Sequence, residues 1–374
     1  MPSSELDERP AALNLDLSRA LPAPAGLDDI ETPAVLIDLD VVERNLRRWQ
    51  DFCDAHGLAN RPHIKTHKLV PFAKRQLELG ARGITCQKLG EAEVMADAGI
   101  DDILLTYNII GARKLERLAA LARRALITVV ADSDFVVAGL GAAMRAAGTA
   151  IKVLVECDTG GGRCGVTSPA EAARLASVIA RFEGLRFAGL MTYPAPGTRA
   201  QAAAFLEEAK SRCAARGLVA ETVSTGGSPD LRSEEGLTPV TEYRAGTYIY
   251  NDRALVSRGV AGLDDCAATV LSTVVSCPTP DRAVIDAGSK ALSSDLQGLQ
   301  GFGAVLGHAD ISIHKLNEEH GTLTQTRGSL RIGDRIRVLP NHICVVSNLF
   351  DVVYFTRGDR VLCAHPVDAR GRVT

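Results

Sequence analysis

Four short segments carry residue types that do chemistry. The first is Arg61-Pro-His-Ile-Lys-Thr-His-Lys68. A lysine held among cations and away from water has a lowered pKa, and its neutral amine can attack a carbonyl to form a Schiff base. Arg61, His63, His67 and Lys68 offer Lys65 that surrounding, although a solvated basic loop would read the same way. The second is Glu156-Cys-Asp-Thr-Gly-Gly-Gly-Arg-Cys-Gly165. Consecutive glycines let the backbone approach a ligand, and Arg163 can donate to an anionic oxygen, but most glycine-rich turns are only turns. The third is Ser224-Thr-Gly-Gly-Ser228, which together with Gly246-Thr247 could gather backbone N–H groups and hydroxyls around one phosphate. The fourth is Pro340-Asn-His-Ile-Cys344. On an extended strand, residues two apart point to one side, so His342 and Cys344 could reach one metal. An imidazole with a thiolate favours zinc, and two protein ligands leave positions open for substrate oxygens. A buried cysteine beside an unrelated histidine is the plainer alternative.

These segments need a frame. Val35-Leu36-Ile37 reads as a strand, and Asp40 as the cap of a helix running to about His56, with Val42, Leu46, Trp49 and Cys53 on one face. Strand patterns then recur near Arg61–Ile64, Gly83–Cys86, Ile103–Thr106, Ile127–Val130, Lys152–Glu156, Phe187–Met191, Thr222–Ser224 and Tyr243–Thr247. Helical patterns lie between most of them, as at Lys114–Arg123, Phe135–Ala147, Pro169–Arg181 and Arg199–Arg216. Eight such units close an α/β fold, a (β/α)8 barrel, with chemistry at the C-terminal ends of its strands and a phosphate site after strands seven and eight. An open doubly wound sheet is the other choice, but no strand leads into a GxGxxG turn. From about Ala267 the pattern turns β-like, at Val270–Val275, Arg282–Asp286, Asp310–His314, Arg335–Leu339 and Asp351–Phe355. The expected division is an arm over residues 1–30, a barrel over 31–266 and a mainly antiparallel β domain over 267–374.

Composition excludes several classes. The chain has 374 residues, a net charge of −3, 46% hydrophobic and 23% charged residues, which argues against disorder and against a nucleic-acid binder. No apolar run reaches the roughly 18 residues of a membrane span. Met1–Glu8 is polar and acidic, unlike a signal peptide. Nine cysteines without a CxxC pair point to free thiols in a reducing, cytoplasmic setting.

With "ETPAVLIDLD", "RPHIKTHK", "CQKLGEAEVMADAGIDDILL", "DTGGGRCGV", "STGGS", "RAGTYIYND", "DAGSK", "EEHG" and "PNHIC" in order, the chain resembles the D-threonine aldolase and D-serine dehydratase family of alanine-racemase-like, fold-type III pyridoxal-phosphate enzymes. The resemblance runs from about Thr32 to the C-terminus. It implies a barrel that binds pyridoxal 5'-phosphate, a β domain that carries the metal site, and a homodimer with active sites at the interface. It makes Lys65 the lysine that carries the cofactor. Arg163 lies near the phenolic oxygen, Tyr193 beside the ring, and Arg244 faces the pyridine nitrogen. Gln87 lines the pocket. Thr225, Gly226, Gly227, Gly246 and Thr247 hold the phosphate, and His342 and Cys344 the divalent metal, zinc first with manganese or magnesium open. The implied activity is a lyase acting on a small D-β-hydroxy amino acid: D-serine, D-threonine or 3-hydroxy-D-aspartate. In a dehydratase Lys65 takes the Cα proton; in an aldolase His63 or His67 takes the hydroxyl proton. The aldolase branch carries an aspartate in place of Cys344 and a histidine after the tyrosine, where this chain has Pro194. Those departures favour a dehydratase over a D-threonine-type aldolase. An amino-acid racemase or a non-catalytic cofactor-binding protein fits less well, because neither needs the metal pair.

Overall fold

The computed structural model describes residues 15–231 and 233–374. Eight parallel strands form one ring: Ala59–Asn60, Ile84–Cys86, Asp102–Leu105, Leu126–Ala131, Ile151–Cys157, Leu185–Thr192, Thr222–Gly226 and Glu242–Arg244. From Ile84–Cys86 to Thr222–Gly226 each strand pairs with the next in sequence, and Glu242–Arg244 returns to Ala59–Asn60. The ring closes at a single bridge, His63 to Thr85. There Thr85 N–H donates to Pro62 O at 2.8 Å and Arg82 N–H donates to Asn60 O at 2.9 Å. This is the expected (β/α)8 barrel. Its helices begin and end at local signals: Ser168 accepts from Glu171 N–H at 3.2 Å, with Pro169 opening the helix to Ile179, and Gly148 at φ +61° ends Asp134–Ala147.

Two local expectations change. The strand foreseen over Arg61–Ile64 stops at Asn60, because Pro62 has no N–H to extend the ladder; the chain instead makes one 3-10 turn, Ile64–Thr66, which carries Lys65. The helix Leu39–Ala55 is capped by Asp38, whose carboxylate accepts from Asp40 N–H at 3.0 Å and Val41 N–H at 3.2 Å. Asp40 lies inside the first turn.

The second sheet has nine strands, in the spatial order Arg282–Ile285, Gly321–Thr324, Ser312–Leu316, Ala304–Val305, Arg335–Leu339, Ala268–Thr279, Ala34–Asp38, Val352–Arg357 and Arg360–Pro366. Every pairing is antiparallel except that of Ala34–Asp38 with Val352–Arg357. Ala34–Asp38 falls within the span 31–266 expected for the barrel, yet it is hydrogen-bonded into this sheet, so the chain enters the β domain before it builds the barrel. The arm also lies on this domain: Leu21 pairs with Ala364, and Arg19 meets Asp368 at 2.5 Å. Residues 1–14 of the expected arm lie outside the described residues. Pro340–Cys344 is not an extended strand. The ladder ends at Leu339, and His342 is the N-cap of a short helix, Ile343–Ser347.

The barrel interior holds a buried line of polar groups. Arg244 Nη1 donates to Ser224 Oγ at 2.7 Å, and Ser224 Oγ to Glu242 Oε1 at 2.7 Å. Arg61 Nε donates to Glu242 Oε2 at 2.6 Å, and Arg61 Nη1 to Asp102 Oδ1 at 2.7 Å. Removing one member of such a pair strands a charge out of water. Arg61→Ala is therefore expected to cost about 3–5 kcal/mol of stability. Chemical denaturation checks this, and a loss below about 1 kcal/mol contradicts it.

Candidate functional site

One cavity of about 220 Å³ opens at the C-terminal ends of the barrel strands, with the β domain forming part of its wall. It gathers Lys65, His63, Gln87, Arg163, Tyr193, Gly227, Arg244, Gly246, Thr247, His342 and Cys344 from segments far apart in sequence. The 3-10 turn after Pro62 presents Lys65. Its Nζ has no hydrogen-bond or ion-pair partner among the described residues. Burial lowers the Lys65 pKa first. Nearby Arg163 and Arg244 lower it further, and Cys344 opposes them. The neutral amine is thereby favoured.

His63 lies beside Lys65 with both ring nitrogens engaged. Nδ1 accepts from Lys65 N–H at 3.4 Å and Nε2 lies 3.1 Å from Gln87 Oε1. Burial and the Lys65 charge push its pKa well below the usual value. Gln87 is held in turn, its Nε2 donating to Thr106 O at 2.9 Å. His67 does not join the cavity. Its Nδ1 accepts from Leu69 N–H at 3.0 Å, its ring meets Phe72 edge-on in the core, and burial pushes its pKa down to about 3.

The floor is Arg244, whose Nη2 also donates to Thr192 O at 2.9 Å. Burial lowers its pKa to about 10, so it remains a cation at neutral pH. Gly227, Ser228, Gly246 and Thr247 form one corner. Thr247 N–H donates to Ser228 Oγ at 3.1 Å. Gly227 has φ +124°, and a Cβ on Gly246 would lie 3.0 Å from Thr66 Oγ1, so neither position accepts a side chain freely. Thr225 and Gly226 lie beneath this corner instead of lining it: Thr225 is buried in its strand, and a Cβ on Gly226 would meet Arg244 O at 2.8 Å. Tyr193 is 41% exposed at the mouth, with the Arg163 guanidinium 4.9 Å above its ring and 4.0 Å from Glu156.

His342 and Cys344 line the same cavity, with Cys344 beside Thr247. His342 Nδ1 lies 2.6 Å from Asp295 Oδ2. A carboxylate only accepts, so a proton sits on Nδ1, which leaves Nε2 as the nitrogen that faces the Cys344 thiol and can bind a metal once it gives up its proton. The Cys344 thiol lies 3.1 Å from Thr66 Oγ1 and 3.4 Å from Thr247 Oγ1. Burial would raise the Cys344 pKa, but hydrogen bonding and charge from His342, with help from the two hydroxyls, bring it below the usual thiol value. Burial likewise opposes His342, yet Cys344 and Asp295 push it up to about 9. Sequence reasoning missed Asp295, Gln297, Asp252 and Arg258. Asp252 and Thr66 sit inside segments already singled out, whereas Asp295 and Gln297 belong to a turn without any motif.

Residues 37–254 match the alanine racemase N-terminal domain model, and residues 267–356 match the serine dehydratase domain model. The chain is 35% identical to a 3-hydroxy-D-aspartate aldolase of Paracoccus denitrificans, over 94% of this chain and 96% of that one. The chain belongs to the D-threonine aldolase and D-serine dehydratase family. A D-threonine aldolase structure from Filomicrobium marinum superposes on it with a TM-score of 0.88, at 35% identity, covering 95% of this chain and all of that one. The structure of a D-threo-3-hydroxyaspartate dehydratase from Delftia sp. HT23 superposes with a TM-score of 0.82 at 32% identity, covering 92% and 99%. A variant of that dehydratase lacking one cysteine is known in a metal-free form.

This is a family of pyridoxal-phosphate-dependent lyases, and the residues present suit that cofactor. An unpartnered, buried amine faces the cavity, a cradle closed to side chains lies on one side, and a fixed cation forms the floor. They suit a metal as well, because an imidazole nitrogen and an acidified thiol face each other on one wall, where an ion could take the place of the proton between them. Among the described residues no cluster of three or more His, Cys, Asp or Glu forms a metal site. Asp295→Ala leaves the imidazole free to turn or change tautomer and is expected to weaken zinc binding roughly 10–100-fold. Calorimetric titration with zinc measures this; unchanged affinity removes Asp295 from the role.

Proposed function

We propose that the protein is a pyridoxal-phosphate- and divalent-metal-dependent dehydratase of D-β-hydroxy amino acids. The substrate loses its Cα proton and β-hydroxyl, together as water, and subsequent hydrolysis releases a 2-oxo acid and ammonia. The observation that carries this choice is the state of the two histidines that an aldol cleavage would use as base. His63 has one nitrogen on Lys65 N–H and the other on Gln87, and His67 faces the core. Neither is free to receive a hydroxyl proton. Lys65 is free, and its lowered pKa suits it to take a proton from Cα near neutral pH.

Bound pyridoxal phosphate supplies the electron sink that makes the Cα–H bond acidic. Lys65 anchors it. Gly227, Ser228, Gly246 and Thr247 receive its phosphate, with Thr225 and Gly226 shaping the strand beneath. Tyr193 offers a ring face, Arg163 a donor for the phenolic oxygen, and Arg244 a cation for the pyridine nitrogen, while Gln87 closes the side. A divalent ion on His342 and Cys344 supplies Lewis-acid assistance to the departing hydroxyl, which is a poor leaving group in water. Zinc suits this nitrogen–sulfur pair better than manganese or magnesium. Tyr193 stands exposed at the cavity mouth, and Tyr107 and Ile110 are exposed at an adjoining hollow that shares Gln87, Thr106 and Arg163 with it, which supports a homodimer whose second copy covers the site. All nine thiols are free, in keeping with a cytoplasmic enzyme.

The 35% identity to aldolases favours a second reading, retro-aldol cleavage to glycine and an aldehyde. Product analysis on D-serine, D-threonine and 3-hydroxy-D-aspartate separates the two. A 2-oxo acid with ammonia, lost on chelation while the cofactor stays bound, is the expected result. Glycine with an aldehyde overturns the dehydratase reading, and full activity without metal overturns the metal's role.

A further inference from the structure

Four cationic side chains line the cavity: Lys65, Arg163, Arg244 and Arg258. Three of them have work. Lys65 is the amine that reacts. Arg244 is committed to Ser224 Oγ and Thr192 O. Arg163 lies over Tyr193 beside Glu156. The Arg258 guanidinium has no hydrogen bond or ion pair with any described residue, its backbone N–H alone donating to Val256 O. Among the described residues the one carboxylate lining the cavity is Asp252, whose Oδ1 accepts from Leu255 N–H at 3.1 Å and Oδ2 from Ile343 N–H at 3.2 Å. Arg258 therefore presents an unmatched charge to the ligand space.

Its position says which ligand group it meets. Arg258 ends the short helix Arg253–Ser257, which is bound to the segment carrying the metal pair. Arg253 N–H donates to Pro340 O at 3.1 Å, Ala254 N–H to Asn341 O at 3.3 Å, and Arg253 Nη1 to Asn341 Oδ1 at 3.0 Å. With the two bonds from Asp252, these make the helix and the His342–Cys344 turn one rigid wall. Ala254, Leu255 and Arg258 line the same cavity as His342 and Cys344, so the Cβ substituent of a substrate with its β-oxygen at that pair can reach them. A methyl group or hydrogen there leaves the guanidinium unmet, whereas a carboxylate can accept two parallel hydrogen bonds from it.

We propose that Arg258 binds the distal carboxylate of a β-hydroxy dicarboxylic D-amino acid, so that 3-hydroxy-D-aspartate is preferred over D-serine and D-threonine. This rests on the lyase reading above and adds a residue that sets its specificity. The test compares kcat/KM for D-threo-3-hydroxyaspartate and D-threonine in wild type, Arg258→Gln and Arg258→Lys. Arg258 is exposed, so these replacements spare the core. Wild type is expected to prefer the dicarboxylate. Arg258→Gln is expected to shrink that preference roughly 10–100-fold, chiefly through KM, and Arg258→Lys to restore part of it. An equal loss on both substrates overturns the proposal and gives Arg258 to the α-carboxylate. Weakened cofactor binding in a spectral titration overturns it in favour of the phosphate. A wild type that turns over neither substrate, nor D-serine, overturns the lyase reading and this inference with it.

Discussion

The Arg244 guanidinium sits out of water at the floor of the cavity, and a line of groups through the barrel interior makes that tolerable. An unpaired buried cation costs several kcal/mol. Here Ser224 passes the charge to Glu242, Glu242 shares it with Arg61, and Arg61 reaches Asp102, whose side chain is 29% exposed. Burial lowers Arg244 only to about 10, so it keeps its charge at neutral pH. Burial is what chiefly favours a neutral Lys65, and Arg163 and then the fixed charge of Arg244 add to it. The ion pairs at the opposite end of the barrel thus hold in place one of the charges that the amine feels.

The other half of the site is built from outside the barrel. Strand Ala34–Asp38 places the chain in the second sheet before the barrel starts, and Ala268–Thr279 returns to pair with it. The two domains are therefore stitched at two points, and the turn carrying His342 and Cys344 is held against the barrel mouth. Thr66 and Thr247, both barrel residues, approach the Cys344 sulfur at 3.1 and 3.4 Å. Donors on one domain and the amine on the other can then address neighbouring atoms of one small molecule.

Much of this was legible in the residues. Apolar periodicity marks the βα units, because a buried parallel strand and the helix covering it each leave a distinct spacing. Residue type singles out Lys65, the glycine segments and the His342–Cys344 pair as candidates, and the family resemblance supplies their expected roles. What the sequence hid is orientation. Across a 3-10 turn of three residues per turn, His67 falls on a different face from His63, so one histidine enters the cavity and the other the core. An apolar strand such as Ala34–Asp38 carries no mark of which sheet it joins, since pairing is settled by contacts distant in sequence. Pro340–Cys344 alternates like a strand, but it follows the end of a ladder and turns into a helix. Asp295 and Arg258 belong to no motif and acquire meaning only through what faces them.

The central claim is that Lys65 removes the Cα proton and that no histidine base drives cleavage of Cα–Cβ. A D-β-hydroxy amino acid carrying deuterium at Cα tests it, with the label followed by mass spectrometry. With Lys65 as the base, the deuterium leaves Cα and exchanges into solvent water as the 2-oxo acid forms. Deuterium recovered at Cα of glycine would contradict it.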